Sequence, residues 1–438
     1  MISRSTRSIV VAAFLVVIAS CVTVKMGENI DDYGATVKTL QAKLLENPND
    51  ADALRDLGVI YFQTSQFTKA SEYLKRSSSV SPGDPKTLFY FGMSLEYQDN
   101  KEAALAIYLN YADASSLSPY RKLMEGRYRQ LTRDIIQKQL QFLIAREDSL
   151  TDKKMAPKTV AVFPIVYKGA DEKFAALGTG LSELMISDLG QVRSLLLVER
   201  IRIEALLQEL KFGTSKLVDP ATAPRLGRLL GSGRMVAGTF NVSDNKRLRV
   251  DVASYDVPGR KFPDPTSKSD ALDDLFRLEK DLVFEVIKQM GITLTPAERE
   301  KIQLLPTKNL QAFLSYSIGL EREDARDFRS AAAYFKEAAL LDPGFSKAKT
   351  KGGEADALSS AGGPRDNAVA AAQRIDPPIA ADAVFAPSDL LQSRLKTLGD
   401  NIGLGFIPGP DNRKPPEQAA IEGAPVGDLP KPPRPPTK

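Results

Sequence analysis

Histidine and tryptophan are absent from this 438-residue chain, and cysteine occurs once, at Cys21. Without histidine there is no Ser-His-Asp or Cys-His catalysis and no histidine-ligated metal. A single cysteine excludes internal disulfides, zinc fingers and cysteine-held clusters within one chain. An excess of one charge is missing too. Lys plus Arg number 59 against 55 Asp plus Glu, a formal +4, too balanced for a nucleic-acid partner. What is present is a 43% hydrophobic, 26% charged composition, enough apolar material for a packed core. The length implies two or three domains of roughly 150 residues each. Carboxylate, Lys, Tyr or Ser chemistry remains open, but no spacing sets two carboxylates across a cleft. The expectation is a protein that is not an enzyme, with no catalytic residue, no cofactor and no metal.

The first twenty residues read as an export signal. Arg4 and Arg7 precede an apolar run from Ile9 to Ala19, well short of the roughly 20 residues that span a bilayer. The run ends at Ile18-Ala19-Ser20-Cys21, which resembles the lipobox of bacterial lipoproteins. An ordinary cleaved signal with an incidental cysteine is the other reading. The resemblance implies cleavage after residue 20 and acylation, palmitate included, of the Cys21 thiol and its new amine. Buried acyl chains contribute about 0.8 kcal/mol per CH₂. Val22 stands where that family's inner-membrane retention signal has Asp, so the implied address is the outer membrane, facing the periplasm. Loss of Arg4 and Arg7 leaves a net charge of +2. Residues 21–30 read as a linker.

Residues 31–150 read as helical repeats. Leu54, Leu57, Gly58, Tyr61, Ala70, Leu74 and Ser77, with Pro82 after them, mark one repeat, and shifting the first seven by 34 gives Leu88, Phe91, Gly92, Leu95, Ala104, Tyr108 and Tyr111. Period and residue classes resemble tetratricopeptide (TPR) repeats. Gly58, Gly92, Ala70 and Ala104 would let paired helices cross closely. Leu40 and Pro48 suggest a degenerate half-repeat before them, and 119–149 a long helix closing the stack. The resemblance implies a concave partner-binding face. Its side chains would be Asp52, Arg55, Val59, Phe62, Gln63, Lys86, Phe89, Met93, Glu96 and Tyr97. Val59 and Phe89 rule out the Lys/Asn carboxylate clamp of chaperone-binding repeats. The face either binds envelope or secreted proteins or packs on the chain's own next domain.

Residues 157–295 change character. Thr159 to Ile165 and Leu195 to Arg200 read as strands. Leu177 to Leu189, Ile201 to Leu210, Asp219 to Leu230 and Leu272 to Met290 read as helices. Met235 to Phe240 and Arg247 to Tyr255 read as a hairpin around Ser243-Asp244-Asn245-Lys246. Val160 to Pro164, Gly180 to Leu184, Val198-Glu199-Arg200, Leu226-Gly227 and Val236 to Thr239 resemble the curli-secretion (CsgG-like) family and the TolB amino-terminal domain. That resemblance implies assembly, adaptor or pore proteins and transfers no active site. Glu199 and Arg200 either mark a ligand site at a strand end or, respectively, complement a helix dipole and sit in solvent. Gly178-Thr179-Gly180 and Gly231-Ser232-Gly233 complete no phosphate-binding fingerprint and read as a helix start and a helix-to-strand turn. The hairpin lacks the aromatic girdle of a membrane strand pair.

Residues 306–350 repeat the helical pattern once, with Ile318, Gly319, Ala331, Phe335, Ala338 and Pro343. A lone repeat cannot bury its own face, so it should dock elsewhere on the chain. Residues 351–438 hold half of the 28 prolines and read as a disordered Ala/Gly/Pro-rich tail, with one short helix at Asp389 to Ile402. Such a tail could reach across the periplasm, touch peptidoglycan or offer a Pro-rich ligand, or it is flexible chain alone.

The expected fold is α+β and multidomain: N-terminal TPR helices, a central CsgG-like α/β domain, a C-terminal helix pair and a tail. The expected function is an outer-membrane-anchored, periplasm-facing lipoprotein that scaffolds assembly of envelope or surface structures. Its partners would be proteins on the TPR face, the membrane through the lipid, and further copies of itself as a homo-oligomer. The alternative is a component of a CsgG-type oligomeric secretion channel.

Overall fold

The computed structural model describes residues 29–149, 156–211, 222–259, 261 and 263–379. The signal segment, Cys21 and residues 380–438, with the helix expected at Asp389 to Ile402, lie outside the described residues. Among the described residues the architecture is α+β, with helices before and after a mixed sheet.

The N-terminal part is six helices: α1 (Gly34–Glu46), α2 (Ala51–Gln63), α3 (Phe67–Val80), α4 (Pro85–Tyr97), α5 (Lys101–Tyr108) and α6 (Pro119–Ala145). Their starts are set by caps. The Asp50 carboxylate accepts from Ala53 N–H, Asp84 from Lys86 and Thr87 N–H with Pro85 following, and Asn100 from Ala103 N–H. α4 begins 34 residues after α2, and α5 34 after α3. A Cβ on Gly58 would overlap Leu74, one on Gly92 would overlap Tyr108, and one on Gly319 would overlap Phe335. Each glycine thus faces a large side chain sixteen positions on. Seven positions after each glycine the chain turns through a non-glycine residue in the left-handed region: Ser65 (φ 59°), Asp99 (φ 56°) and Arg326 (φ 60°). The same crossing and the same turn recur three times.

The centre is a six-stranded sheet. Its strands are β1 (Ala156–Val162), β2 (Val166–Tyr167), β3 (Leu196–Leu197), β4 (Ser232–Val242), β5 (Arg247–Asp256) and β6 (Thr266–Ala271). The order is β3-β1-β4-β5-β6, with β2 also on β4. β1 runs parallel to β3 and β4, while β4, β5 and β6 form an antiparallel meander. The interleaved helices are α7 (Leu177–Leu189), α8 (Arg200–Leu210), α9 (Ala223–Leu230), α10 (Leu275–Gln289) and α11 (Pro296–Gln303). Side chains of β4 alternate between two cores. Val236, Phe240 and Val242 meet α7 and α10 residues on one face. Met235 and Ala237 meet α8, α9 and, from α6, Ile136 and Leu140 on the other. The strand expected through Ile165 stops at Val162, and the one expected over Leu195 to Arg200 is only two residues long. The helix expected from Asp219 is described from Ala223, with Pro224 in its first turn.

The C-terminal part corrects the expectation that the helices end near residue 350. α12 (Leu310–Asp324) and α13 (Phe328–Leu341) are continued by α14 (Ser346–Ala361) and α15 (Arg365–Ile375). The small residues that read as low complexity are what allow this packing. Ala348, Ala355, Ala357 and Ala361 are buried. Gly126 of α6 lies so close to the Ala357 carbonyl that a Cβ there would overlap it. Close backbone approach substitutes for large apolar side chains. α12 lies on α7, and α14 lies on both α13 and α6, so the C-terminal helices join the α/β part to the N-terminal array. Among the described residues, no helix is long and apolar enough to cross a membrane.

Candidate functional site

The concave side of the N-terminal array is a groove lined by α2, α4 and α6. Aromatic rings make its floor. The Phe62 ring meets Tyr90 and Tyr97 edge-on at 5.4 and 5.6 Å, and Phe67 stacks on Tyr97 at 4.5 Å. Of the ten side chains expected to face a partner, Val59, Phe62, Gln63, Phe89, Met93 and Glu96 are buried. Arg55, Lys86 and Tyr97 are half-buried and Asp52 is exposed. Of the two alternatives for this face, the structure shows packing within the chain, and the cover is α15 and not the next domain. Ala368, Val369 and Ala372 enter the core that holds Val59, Phe62, Phe89 and Met93. Burial of that aromatic floor removes apolar surface from water, which drives α15 into place.

Polar contacts fix the ends of α15. The Tyr97 hydroxyl donates to Asp366, and Arg365 stacks over the Tyr97 ring at 4.1 Å while donating to the Glu96 carbonyl. At the other end the Tyr120 hydroxyl donates to Asp376 at 2.9 Å, and Lys86 pairs with Asp376 at 2.9 Å. Asp52 pairs with Arg55 at 2.6 Å, and Arg55 also reaches Asp56 and Asp84, so these charges knit α2 to the start of α4.

Glu96 acts inside the wall. Arg127 of α6 grips both its oxygens, at 3.0 and 2.7 Å, and donates its remaining nitrogen to the carbonyls of Ala361 and Gly363. Gln130 accepts from the Gly363 N–H at 2.9 Å. The α14–α15 turn is therefore clamped from α6. Arg127 and Gln130 were not anticipated. Their signal was polar residues at three-residue spacing within an otherwise apolar helix stripe.

A second cluster lies where α6, α7, α8, α12 and α14 converge, around a cavity of about 360 Å³. Glu323 is at its centre, paired with Arg133 at 2.8 Å, Arg200 at 3.1 Å and Lys351 at 3.1 Å. Burial raises the Glu323 pKa, but Lys351, Arg200 and Arg133 outweigh it and hold the group at about 2. Glu204 has no such cations to itself; burial, with Asp324 adding to it, pushes its pKa to about 8. Arg200, which one of the two readings put in solvent, is instead 12% exposed and also pairs with Glu183 and Asp324. Glu199 stays exposed at the start of α8 and makes no capping hydrogen bond. The cluster joins the three parts of the chain; its charges are nearly all spent on one another.

The glycine pairs serve packing. A Cβ on Gly178 would overlap the Ile165 carbonyl, and one on Gly180 the Ser317 hydroxyl. Gly231 ends α9 at φ +64°, where β4 begins. Among the described residues no group of three or more acidic or cysteine side chains is placed to hold a metal ion.

Residues 161–246, from β1 to the β4–β5 turn, match the family described as curli production assembly/transport component CsgG. The chain carries a CsgG-like domain. The matched segment is about a fifth of the chain and contains neither the groove nor α15. No curated protein sequence matches the chain.

Proposed function

We propose that this protein is an envelope lipoprotein, held in the outer membrane by acylated Cys21, that scaffolds the assembly of envelope or surface structures. In this reading the N-terminal helices are TPR repeats and the protein holds other proteins without transforming small molecules. The observation that carries it is the joining of a CsgG-like domain to an aromatic-floored helical groove through the buried Glu323 ion cluster. A partner seated in that groove would be held at fixed orientation to the CsgG-like domain. Crosslinking in intact envelopes followed by affinity purification tests the proposal. A defined set of envelope or secreted proteins is the expected result; recovery of the bait alone contradicts it.

The family description names transport as well as assembly, which supports a channel component as the second reading. The cores on both faces of β4 favour assembly, because the face of the hairpin left uncovered near its turn carries Arg247, Arg249 and Asp251 and offers no apolar surface to lipid. Conductance of the purified protein in planar bilayers would favour the channel.

A further inference from the structure

The helix seated in the groove defines the ligand that the groove accepts. α15 presents three small buried side chains, Ala368, Val369 and Ala372, at positions that share a helix face. A carboxylate stands at each end, Asp366 against Tyr97 and Asp376 against Tyr120 and Lys86. Burial raises the Asp376 pKa, but Lys86, Tyr120 and Arg55 outweigh it, so the group stays below its ordinary value and charged. The groove therefore reads a short helix with a small-residue face and negative charge at two points ten residues apart.

The attachment of α15 is uneven along its length. The turn before it is clamped by Arg127 and Gln130. Gly363, at φ +72°, is the last clamped residue; Pro364 follows it, and α15 starts without a side-chain cap. The buried face of α15 carries few methylenes, so each residue contributes less than a Leu or Phe anchor would. Two of its polar ties lie at the rim, while the Tyr120–Asp376 and Arg365–Glu96 bonds are part-buried. The Tyr97–Asp366 bond is exposed, and the Lys86 and Asp376 side chains are 25% and 43% exposed, where solvent and salt weaken such pairs. The floor beneath is set by α2 and α4, whose rings pack on one another.

We propose that the α2–α4–α6 groove is a receptor for a helical protein segment with a small-residue face and a carboxylate at each end, and that α15 is its detachable intramolecular occupant, replaced when such a partner binds. This rests on the scaffold reading above and adds the partner's chemistry and the step that admits it. While α15 is seated, the partner's apparent affinity falls in proportion to the open fraction. Local opening of a single helix is an ordinary sub-global event.

Two measurements on the full chain test it. In the wild-type protein, amide hydrogens of α15 should exchange at least tenfold faster than those of α14; equal protection of the two helices overturns the proposal. A labelled synthetic peptide of residues 364–379 should bind the variant D366K/D376K at least tenfold tighter than it binds the wild type. A peptide carrying the same two lysines should not bind the variant. If the variant keeps its helical circular dichroism and gains no affinity, or binds both peptides equally, the proposal fails. If the variant does not fold, the wild-type exchange rates alone decide it. Failure of the scaffold reading has a separate signature, the absence of envelope partners, which leaves the peptide measurement unchanged.

Discussion

Arg127 and Glu96 form a two-point ion pair whose side chains are 3% and 4% exposed, and the same guanidinium holds the carbonyls of Ala361 and Gly363. One side chain thus ties the wall of the N-terminal groove to the turn that delivers its cover. Arg127→Met leaves a buried, uncompensated carboxylate and two orphaned carbonyls. Its expected cost is about 3–5 kcal/mol, read by urea denaturation. The double variant R127M/E96M should recover a large part of that loss, because no charge is then left buried alone.

Glu279 on α10 is 1% exposed, with Asp188 of α7, Lys280 beside it and Lys347 of α14 as its charged neighbours. Burial, with Asp188 adding to it, pushes its pKa from 4.5 to about 8. The folded chain therefore holds this proton more tightly than the unfolded chain. Stability from the group is fully present below pH about 4.5 and is lost as pH rises to about 8. Glu279→Gln should flatten that fall, gaining of the order of a few kcal/mol at pH 8 and little at pH 4. Melting temperatures across pH 4–9 check it.

Two glycines should respond in opposite ways. Gly126→Ala drives a methyl into the Ala357 carbonyl and should cost about 1–3 kcal/mol by forcing α6 and α14 apart. Gly353, inside α14, has nothing within 4 Å of a Cβ, so Gly353→Ala should gain about 0.5–1 kcal/mol from helix propensity. Thermal denaturation of the two variants side by side makes the comparison.

Parts of this architecture are legible along the chain. The 34-residue spacing of Gly58 and Gly92 locates two helix crossings, and Ser243 to Lys246 locates the β4–β5 turn. The burial of Arg200 is not legible, because its partners Glu323 and Asp324 lie more than 120 residues away. α14 and α15 were missed because Ala- and Gly-rich composition suits both flexible chain and tight helix packing. Only the facing surface decides between them, and Gly126 and the groove floor supply that surface. That the floor around Val59, Phe62, Phe89 and Met93 is filled by the same chain depends on a helix nearly 300 residues further on, beyond the reach of any local pattern.

Cys21→Ser should leave the protein unprocessed or in the soluble fraction, since the acyl chains would be its hold on the membrane. Fractionation of the variant with the outer membrane would place the attachment elsewhere.

The most direct test of the scaffold reading is a photocrosslinking residue at position 97, in place of Tyr97, in the living envelope. The account expects two products: one internal, to α15, and one to a discrete envelope or secreted protein. Internal product alone, under conditions where the envelope structures are being built, would contradict it.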